Sequence, residues 1–364
     1  MAKQHIIIAA GGTGGHIYPA VALAQTLEKQ ARKVQWVGSG AKLEKRLLSP
    51  YAWPVTEIAA KPYRQAGWLG KCQLAFVLAF GVAKAAWIMI KKRPAYVITT
   101  GGYVSVATAL AAKVLGIKVY ICEQNARPGL ANRLLCHLAT KVFTAYPNVF
   151  PQLKEKKIHM TGNPLREQVI KASDEVEPAR SQKDKALTIL IMGGSQGANI
   201  FNEKIPSLLA DIEEKQRIRI IHQAGAQANI QEIEKAYLAH DIQAEVLPYL
   251  DPITRYYQRS HLVIARSGAL TITELIQFKL PAILVPLPNS ADNHQFYNAL
   301  YHQQLGSAWL LPQDRLVRPG YLANMINTLR SSPAHIEKMQ HVCQQIRQQS
   351  TADKIIDHCV SACK

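Results

Sequence analysis

The residues best suited to chemistry cluster in short glycine-rich segments, each following an apolar run. The first is Gly11-Gly-Thr-Gly-Gly-His16. Its glycines let the backbone turn sharply and approach a ligand closely. The start of the helix expected behind it, near Pro19, favours an anion or a developing negative charge. A histidine at the end of such a loop is a candidate base near neutral pH. The segment is neither a Rossmann fingerprint, since Ile17 falls where the last glycine is required, nor a Walker loop, since no Gly-Lys-Ser/Thr follows.

Five further segments stand out. Thr100-Gly-Gly-Tyr-Val-Ser105 and Glu123-Gln-Asn125 follow apolar runs in the first half of the chain, and Glu123 is one of few acids there. Gly193-Gly-Ser-Gln-Gly-Ala198 opens the second half, and its glycines, Ser195 hydroxyl and following helix suit a diphosphate. Arg266-Ser-Gly-Ala-Leu-Thr-Ile-Thr-Glu274 offers a helix start whose amides suit phosphate, with Glu274 placed to read a ribose diol. Asp292-Asn-His-Gln-Phe-Tyr-Asn298 is a polar loop entering a helix, suited to sugar hydroxyls. The chain has no Asp-x-Asp, the usual cation anchor of metal-dependent sugar transferases, and no His/Cys spacing typical of a metal site. No metal and no cofactor is expected; amides and basic groups would stabilise a leaving diphosphate.

These segments need elements to position them. Strands are expected at 5–10, 34–38, 55–58, 96–99, 119–122 and 142–145, with helices between them, including 19–30, 104–115 and 130–139. The pattern restarts with strands at 187–192, 217–222, 245–247, 262–265 and 282–285, after a polar loop over 171–185. Strand–helix alternation of this kind predicts an α/β fold of two doubly wound, Rossmann-like domains. Open sheets of this type bind ligands beyond the carboxyl ends of their strands, and a deep cleft between two such domains is the expected site. The expected boundaries are 1–163 for an N-terminal domain, 164–340 for a second domain and 341–364 for a C-terminal helix.

The 364 residues suffice for two cores, and 48% are apolar with 19% charged, an ordinary globular composition. Six scattered cysteines, none in a C-x-x-C pair, read as reduced thiols. The charge is uneven. Residues 1–165 carry 22 Lys and Arg against five Glu and no Asp, whereas the remainder carries 21 against 20. A basic domain attracts anionic surfaces such as phospholipid, phosphorylated substrate or nucleic acid. No nucleic-acid recognition motif is present, so nucleic acid is the least favoured of these. No run reaches the roughly 20 apolar residues of a spanning helix. The segment from Trp68 to Arg93 is apolar with basic residues around it, as in a helix that lies on a membrane surface.

Seven motifs in order, GGTGGH at 11–16, GGYVS at 101–105, EQN at 123–125, GNPLR at 162–166, GGSQGA at 193–198, RSGALTITE at 266–274 and HQFYNA at 294–299, resemble the bacterial transferases that add N-acetylglucosamine to lipid I, giving lipid II in peptidoglycan synthesis. The resemblance implies a GT-B architecture with the C-terminal helix crossing back to the first domain. It implies UDP-N-acetylglucosamine as donor and lipid I, an undecaprenyl-pyrophosphoryl-muramyl-pentapeptide, as acceptor. Ser195 would then contact diphosphate. Arg166, Leu250 and the segment Ala269, Leu270, Thr271, Ile272, Thr273 and Glu274 would hold nucleotide, with Glu274 on ribose. Gln295 would bind the sugar, and Thr13, Gly14, Gly15 and Asn125 would approach it from the first domain. The family reaction inverts the anomeric centre, and His16 is the first candidate for its base, Glu123 the second. Where the family pattern often has His before Glu-Gln-Asn, this chain has Cys122. The basic first half would dock on an anionic membrane surface, making the protein peripheral on the cytoplasmic face of the inner membrane. Two rival readings share the architecture: a sugar-nucleotide epimerase, with no use for a basic first half, and a binding subunit, with no use for His16.

Overall fold

The computed structural model describes residues 5–59, 68–175, 186–194 and 196–362. The chain divides into two compact units, residues 1–167 with 348–364, and residues 168–347.

The first unit is a seven-stranded, all-parallel sheet. Its elements are β1 (His5–Ala9), α1 (Gly14–Lys29), β2 (Lys33–Gly38), α2 (Lys42–Leu48), β3 (Val55–Glu57), α3 (Trp68–Lys92), β4 (Tyr96–Thr99), α4 (Tyr103–Val114), β5 (Lys118–Glu123), α5 (Leu130–Leu135), β6 (Lys141–Thr144) and β7 (Ile158–Met160). The strand order β3-β2-β1-β4-β5-β6-β7 reverses direction between β1 and β4. β1 pairs with both neighbours in register, Ile8 opposite Trp36 on one side and Ile98 on the other. Such strands are covered on both faces, which is why β1 and β4 read as unbroken apolar runs.

The second unit holds a six-stranded parallel sheet in the order β10-β9-β8-β11-β12-β13. Its strands are β8 (Leu187–Met192), β9 (Ile218–Gln223), β10 (Gln243–Leu247), β11 (Leu262–Ala265), β12 (Ala282–Leu284) and β13 (Ala308–Leu310). Between and around them lie α6 (Glu167–Asp174), α7 (Asn199–Leu208), α8 (Ile230–Leu238), α9 (Ile253–Arg259), α10 (Ala269–Gln277), α11 (His294–Leu305), α12 (Gln313–Leu316), α13 (Tyr321–Ser331) and α14 (Pro333–Ile346). The order reverses between β8 and β11. The last helix, α15 (Thr351–Ser361), belongs to the first unit. Ile355, Ile356 and Cys359 lie in the same apolar cluster as Ile6, Ile8, Tyr96, Tyr120 and Phe143, and the Tyr120 hydroxyl donates to the Cys359 carbonyl at 3.0 Å.

Three readings from sequence need correction. α1 begins at Gly14, not near Pro19, so His16 lies in the helix's first turn. Pro19 inside the helix hid this start, because proline normally reads as a boundary; here its missing N–H costs only the bond to the Gly15 carbonyl. Two three-residue strands, β7 and β13, went unread, being too short to show an alternation. The helical tail is two helices, α14 and α15, parted at 347–350.

Candidate active site

In each unit the loops that flank the reversal of strand order sit at the carboxyl ends of the central strands, where open sheets bind ligands. In the first unit these loops follow β1 and β4, and they touch. A Cβ on Gly102, at φ +86, would lie 2.5 Å from the Gly11 carbonyl oxygen, and one on Gly101, at φ +109, would lie 2.7 Å from His16 Cε1 and Nδ1. Only glycine fits at either place.

His16 is half-buried and fixed from the β4 loop. Its Nδ1 is 2.9 Å from the Thr100 carbonyl oxygen, and the Thr100 hydroxyl donates to the His16 carbonyl at 2.8 Å. A carbonyl oxygen only accepts, so in the neutral ring Nδ1 carries the proton and Nε2 keeps its lone pair. This sets the tautomer a general base requires. α1 opens at Thr13 with no side-chain cap and no acid in its first turn, so the amides of Gly14 and Gly15 point outward without an intrahelical partner. Ser105 is buried and bridges the two loops, its hydroxyl 2.8 Å from the Gly101 carbonyl and 3.3 Å from that of Ala9.

Glu123, the second candidate for the base, is held by its own loop. It is 2% exposed, and its carboxylate accepts four hydrogen bonds: from Asn125 N (3.0 Å) and Nδ2 (3.2 Å) at one oxygen, and from Gly129 N (3.1 Å) and Asn132 Nδ2 (2.8 Å) at the other. A carboxylate so occupied organises the loop after β5 and has little capacity left for a substrate proton. Through it Asn125, half-buried, is held on the rim. Cys122 is buried, which pushes its thiol up to about 12 and leaves it an inert core residue.

Arg166 was expected with the nucleotide ligands of the second domain; the structure places it in the first unit. Its guanidinium lies 4.2 Å over the Tyr18 ring, beside Gly14, and the neighbouring Glu167 pairs with Lys29 at 2.8 Å. Both contacts hold this segment against α1.

In the second unit the loops after β8 and β9 also cross. A Cβ on Gly197 would lie 2.0 Å from the Ala224 carbonyl oxygen, and one on Gly225 would lie 2.2 Å from that of Gln196. Gln223 Nε2 donates to the Gly194 carbonyl at 2.8 Å and Asn202 Nδ2 to that of Ala224 at 3.0 Å, fixing the glycine-rich segment from both sides. Ser195, expected on the diphosphate, lies outside the described residues.

α10 starts at Ala269 behind Gly268, with no side-chain cap and no acid in its first turn. The amides of Ala269, Leu270 and Thr271 therefore form a partial positive charge suited to a phosphate. The side chains of Ala269 and Ile272 are buried, so what this segment offers is main chain, and the same holds for Leu250 at 5% exposure. The Thr273 hydroxyl donates back to the Ala269 carbonyl at 2.9 Å. Glu274 is largely buried and accepts from the Tyr257 hydroxyl at 2.9 Å, which sets the orientation of its carboxylate.

Gln295 is half-buried at the start of α11. Its Oε1 accepts from Leu287 N at 3.0 Å, which leaves its NH2 as the donating end. Three non-glycine residues just before it, Asn289, Asp292 and Asn293, adopt φ between +51 and +57, a concentration of backbone strain often found at ligand loops. The loop is tied to β11 by Ser267, whose hydroxyl donates to the Gln295 carbonyl at 2.8 Å, and by Asn298, whose Nδ2 donates to the Ser267 carbonyl at 3.2 Å. Arg266 is 8% exposed and joins the ends of β11 and β12. It donates to the carbonyls of Val285 (3.3 Å) and Pro286 (3.1 Å) and to Gln313 Oε1 (2.7 Å) over the Phe201 ring, and burial lowers it to about 10, still charged at neutral pH.

Sequence reasoning missed the supporting residues Thr100, Asn132, Tyr257, Ser267 and Asn298. Each is a buried polar side chain or a main-chain group that acts through a partner nine or more residues away. The one signal available was position, since most of them fall within or beside the quoted motifs.

The chain is similar to known proteins over nearly its whole length. Residues 6–144 match the glycosyltransferase family 28 N-terminal domain and residues 188–358 its C-terminal domain. A UDP-N-acetylglucosamine–N-acetylmuramyl-(pentapeptide) pyrophosphoryl-undecaprenol N-acetylglucosamine transferase from Shewanella sp. (strain MR-4) is 33% identical over 362 residues, covering 99% of this chain and 98% of that one. The transferase of the same name from Shewanella baltica (strain OS185) is 32% identical over the same span. The crystal structure of Acinetobacter baumannii MurG has a TM-score of 0.81 at 30% identity, covering 98% of this chain and 99% of its own. A UDP-GlcNAc 2-epimerase from Neisseria meningitidis shares the fold alone, at 15% identity and a TM-score of 0.71 over 99% of this chain and all of its own. The chain belongs to glycosyltransferase family 28, among the UDP-N-acetylglucosamine–N-acetylmuramyl-(pentapeptide) pyrophosphoryl-undecaprenol N-acetylglucosamine transferases, and has their GT-B fold of two parallel-sheet α/β domains.

Proposed function

We propose that this enzyme transfers N-acetylglucosamine from UDP-N-acetylglucosamine to the muramyl 4-hydroxyl of lipid I, with inversion, giving lipid II. The family supports the substrates, and the His16 tautomer is the observation that carries the mechanism. With Nδ1–H held by the Thr100 carbonyl, Nε2 accepts the proton of the acceptor hydroxyl as its oxygen attacks the anomeric carbon. The bond to UDP breaks, its electron pair leaves with the diphosphate, and the imidazolium returns its proton to solvent.

The growing charge on the diphosphate is met by the amides of Ala269, Leu270 and Thr271 and by the segment that contains Ser195. Glu274 reads the ribose diol, the main chain at Leu250 and Ile272 borders the nucleotide, and Gln295 donates to a sugar hydroxyl. Thr13, Gly14, Gly15 and Asn125 contact the sugar, and Arg166 adds a positive charge for the nucleotide. The four bonds into Glu123 support His16 over Glu123 as the base.

The same reading places the enzyme on the cytoplasmic face of the inner membrane, docked on anionic lipid by the first unit. On α3 the exposed side chains Phe76, Phe80, Trp87 and Ile90 recur at spacings of three, four and seven residues, one stripe of a helix, and Lys91 lies over the Trp87 ring at 5.2 Å. Apolar area flanked by lysines is what binds an interfacial helix to anionic lipid. Among the described residues no helix is long and apolar enough to cross a membrane.

The test is UDP release from UDP-N-acetylglucosamine with and without a short-chain lipid I analogue, in EDTA. Acceptor-dependent, EDTA-resistant release is expected. Release that ignores the acceptor would point to hydrolysis or epimerase-type chemistry, and no release would leave a binding subunit.

A further inference from the structure

Glu44 lies in the first turn of α2, outside every motif singled out above, and is 1% exposed. Its Oε2 accepts from the Ser39 main-chain N–H at 2.9 Å and from the Ser39 hydroxyl at 2.8 Å. Its Oε1 is buried and, among the described residues, has no hydrogen-bond partner. The carboxylate fills the space left by Gly38 and, with Val104 and Ser39, lies beside Gly11. A Cβ on Gly38 would fall 1.5 Å from Oε1, and one on Gly11 would fall 3.4 Å from Oε2 and from the Ser39 hydroxyl. Gly11 is the first residue of the loop that carries His16, and its carbonyl is the atom against which Gly102 packs.

A glutamate that merely caps a helix sits on the surface, where water completes its hydrogen bonding. Burying a carboxylate with one oxygen unpaired is unfavourable, and local conflicts of this kind collect where function demands them. Resting on the transferase reading, we infer that Glu44 is a positioning residue for His16. It is a wedge beneath Gly11 that fixes the floor of the glycine-rich loop and so the seat of the imidazole between that loop and the one after β4.

The experiment uses the full chain and begins with the wild-type transfer assay. Donor and acceptor are then varied separately for E44A, E44Q and S39A, each alone and in an H16A background. A loosened loop misplaces the base, so E44A should lower kcat by about ten- to a hundredfold. The KM for UDP-N-acetylglucosamine should change far less than kcat, because the nucleotide, which is most of the donor, is assigned to residues of the second unit. E44Q keeps an oxygen for Ser39 and nearly the same volume, and should recover most of the rate. In the H16A background E44A should add little, since it acts through the histidine. Should E44A fail to fold, E44Q and S39A decide. S39A removes one of the two bonds and should cost about threefold in kcat, again only when His16 is present. Full kcat in folded E44A or in S39A, an equal loss without His16, or a loss confined to donor KM overturns the assignment. A wild-type chain that shows no acceptor-dependent release overturns the transferase reading first, before any variant is compared.

Discussion

Gly101→Ala is the substitution that tests the seating of His16 most directly. The added Cβ would stand 2.7 Å from His16 Cε1 and Nδ1, at a backbone φ of +109. Ordinary contacts to a methyl carbon lie near 3.5–4.0 Å, so the ring must retreat by about 1 Å. That movement also breaks the 2.9 Å bond between Nδ1 and the Thr100 carbonyl, which sets the tautomer. A displacement of this size costs on the order of 10²-fold in rate, or about 2.7 kcal/mol in the barrier. The strained φ costs a further ~1–3 kcal/mol of stability, seen as a lowered Tm and not as a change in donor affinity. The assay is continuous UDP release with a soluble lipid I analogue, with Tm measured in parallel. Loss of the base itself in H16A should cost roughly 10²–10⁴-fold. The deciding measurement is the double variant: if G101A acts through His16, it adds almost nothing to H16A. Independent, multiplying losses, or a folded G101A with wild-type kcat, would refute the reasoning.

Three other outcomes are expected. Burial lowers His222 and His302 of the second unit to about 4, against an ordinary value of 6.5 when unfolded. The unfolded chain therefore binds more protons between these values, so the stability they permit is complete above pH 6.5 and falls as the pH drops toward 4, by up to ~3 kcal/mol each; Tm measured at pH 7.5 and 5 should show the loss, and H302Q should reduce it. Glu123→Gln replaces one accepting oxygen by an NH2 group that faces two of the four donors, so it should disorder the loop after β5 and lower kcat by about tenfold while leaving the pH dependence of kcat in place; loss of the acidic limb of that profile would restore Glu123 as the base. Charge reversal at Lys91, Lys92 and Arg93 should weaken sedimentation with anionic vesicles, on the order of 1 kcal/mol per residue at low salt, without altering turnover of a soluble acceptor; unchanged vesicle binding would remove α3 from the docking surface.

The central strands and their glycine-rich loops were legible because buried parallel strands are continuous apolar runs, and because a ligand-binding loop announces itself by small residues after such a run. Strand β8 and the loop from Gly193 to Ala198 show both signals. What the sequence concealed were relations across many residues. Thr100 orients His16 through a main-chain carbonyl that carries no trace in residue type. Glu123 looks like any strand-end acid until its four donors are seen, two of them from main chain. Arg166 falls close to the point where the chain passes between units, and its side is settled by a ring, Tyr18, that lies in the first turns of α1.

The placement of α15 has a consequence for how the polypeptide is made. The second unit, residues 168–347, contains all of its own sheet and core, whereas the first needs Ile355, Ile356 and Cys359 to cover Tyr96, Tyr120 and Phe143. During synthesis the first sheet therefore waits, with one apolar face incomplete, while nearly two hundred further residues are added, roughly 10–40 s at 5–20 residues per second. The part translated first is the last to close. Over that interval the nascent chain exposes this apolar face, and a premature stop shortly before α15 would spare the second unit while leaving the unit that carries His16 unable to finish folding.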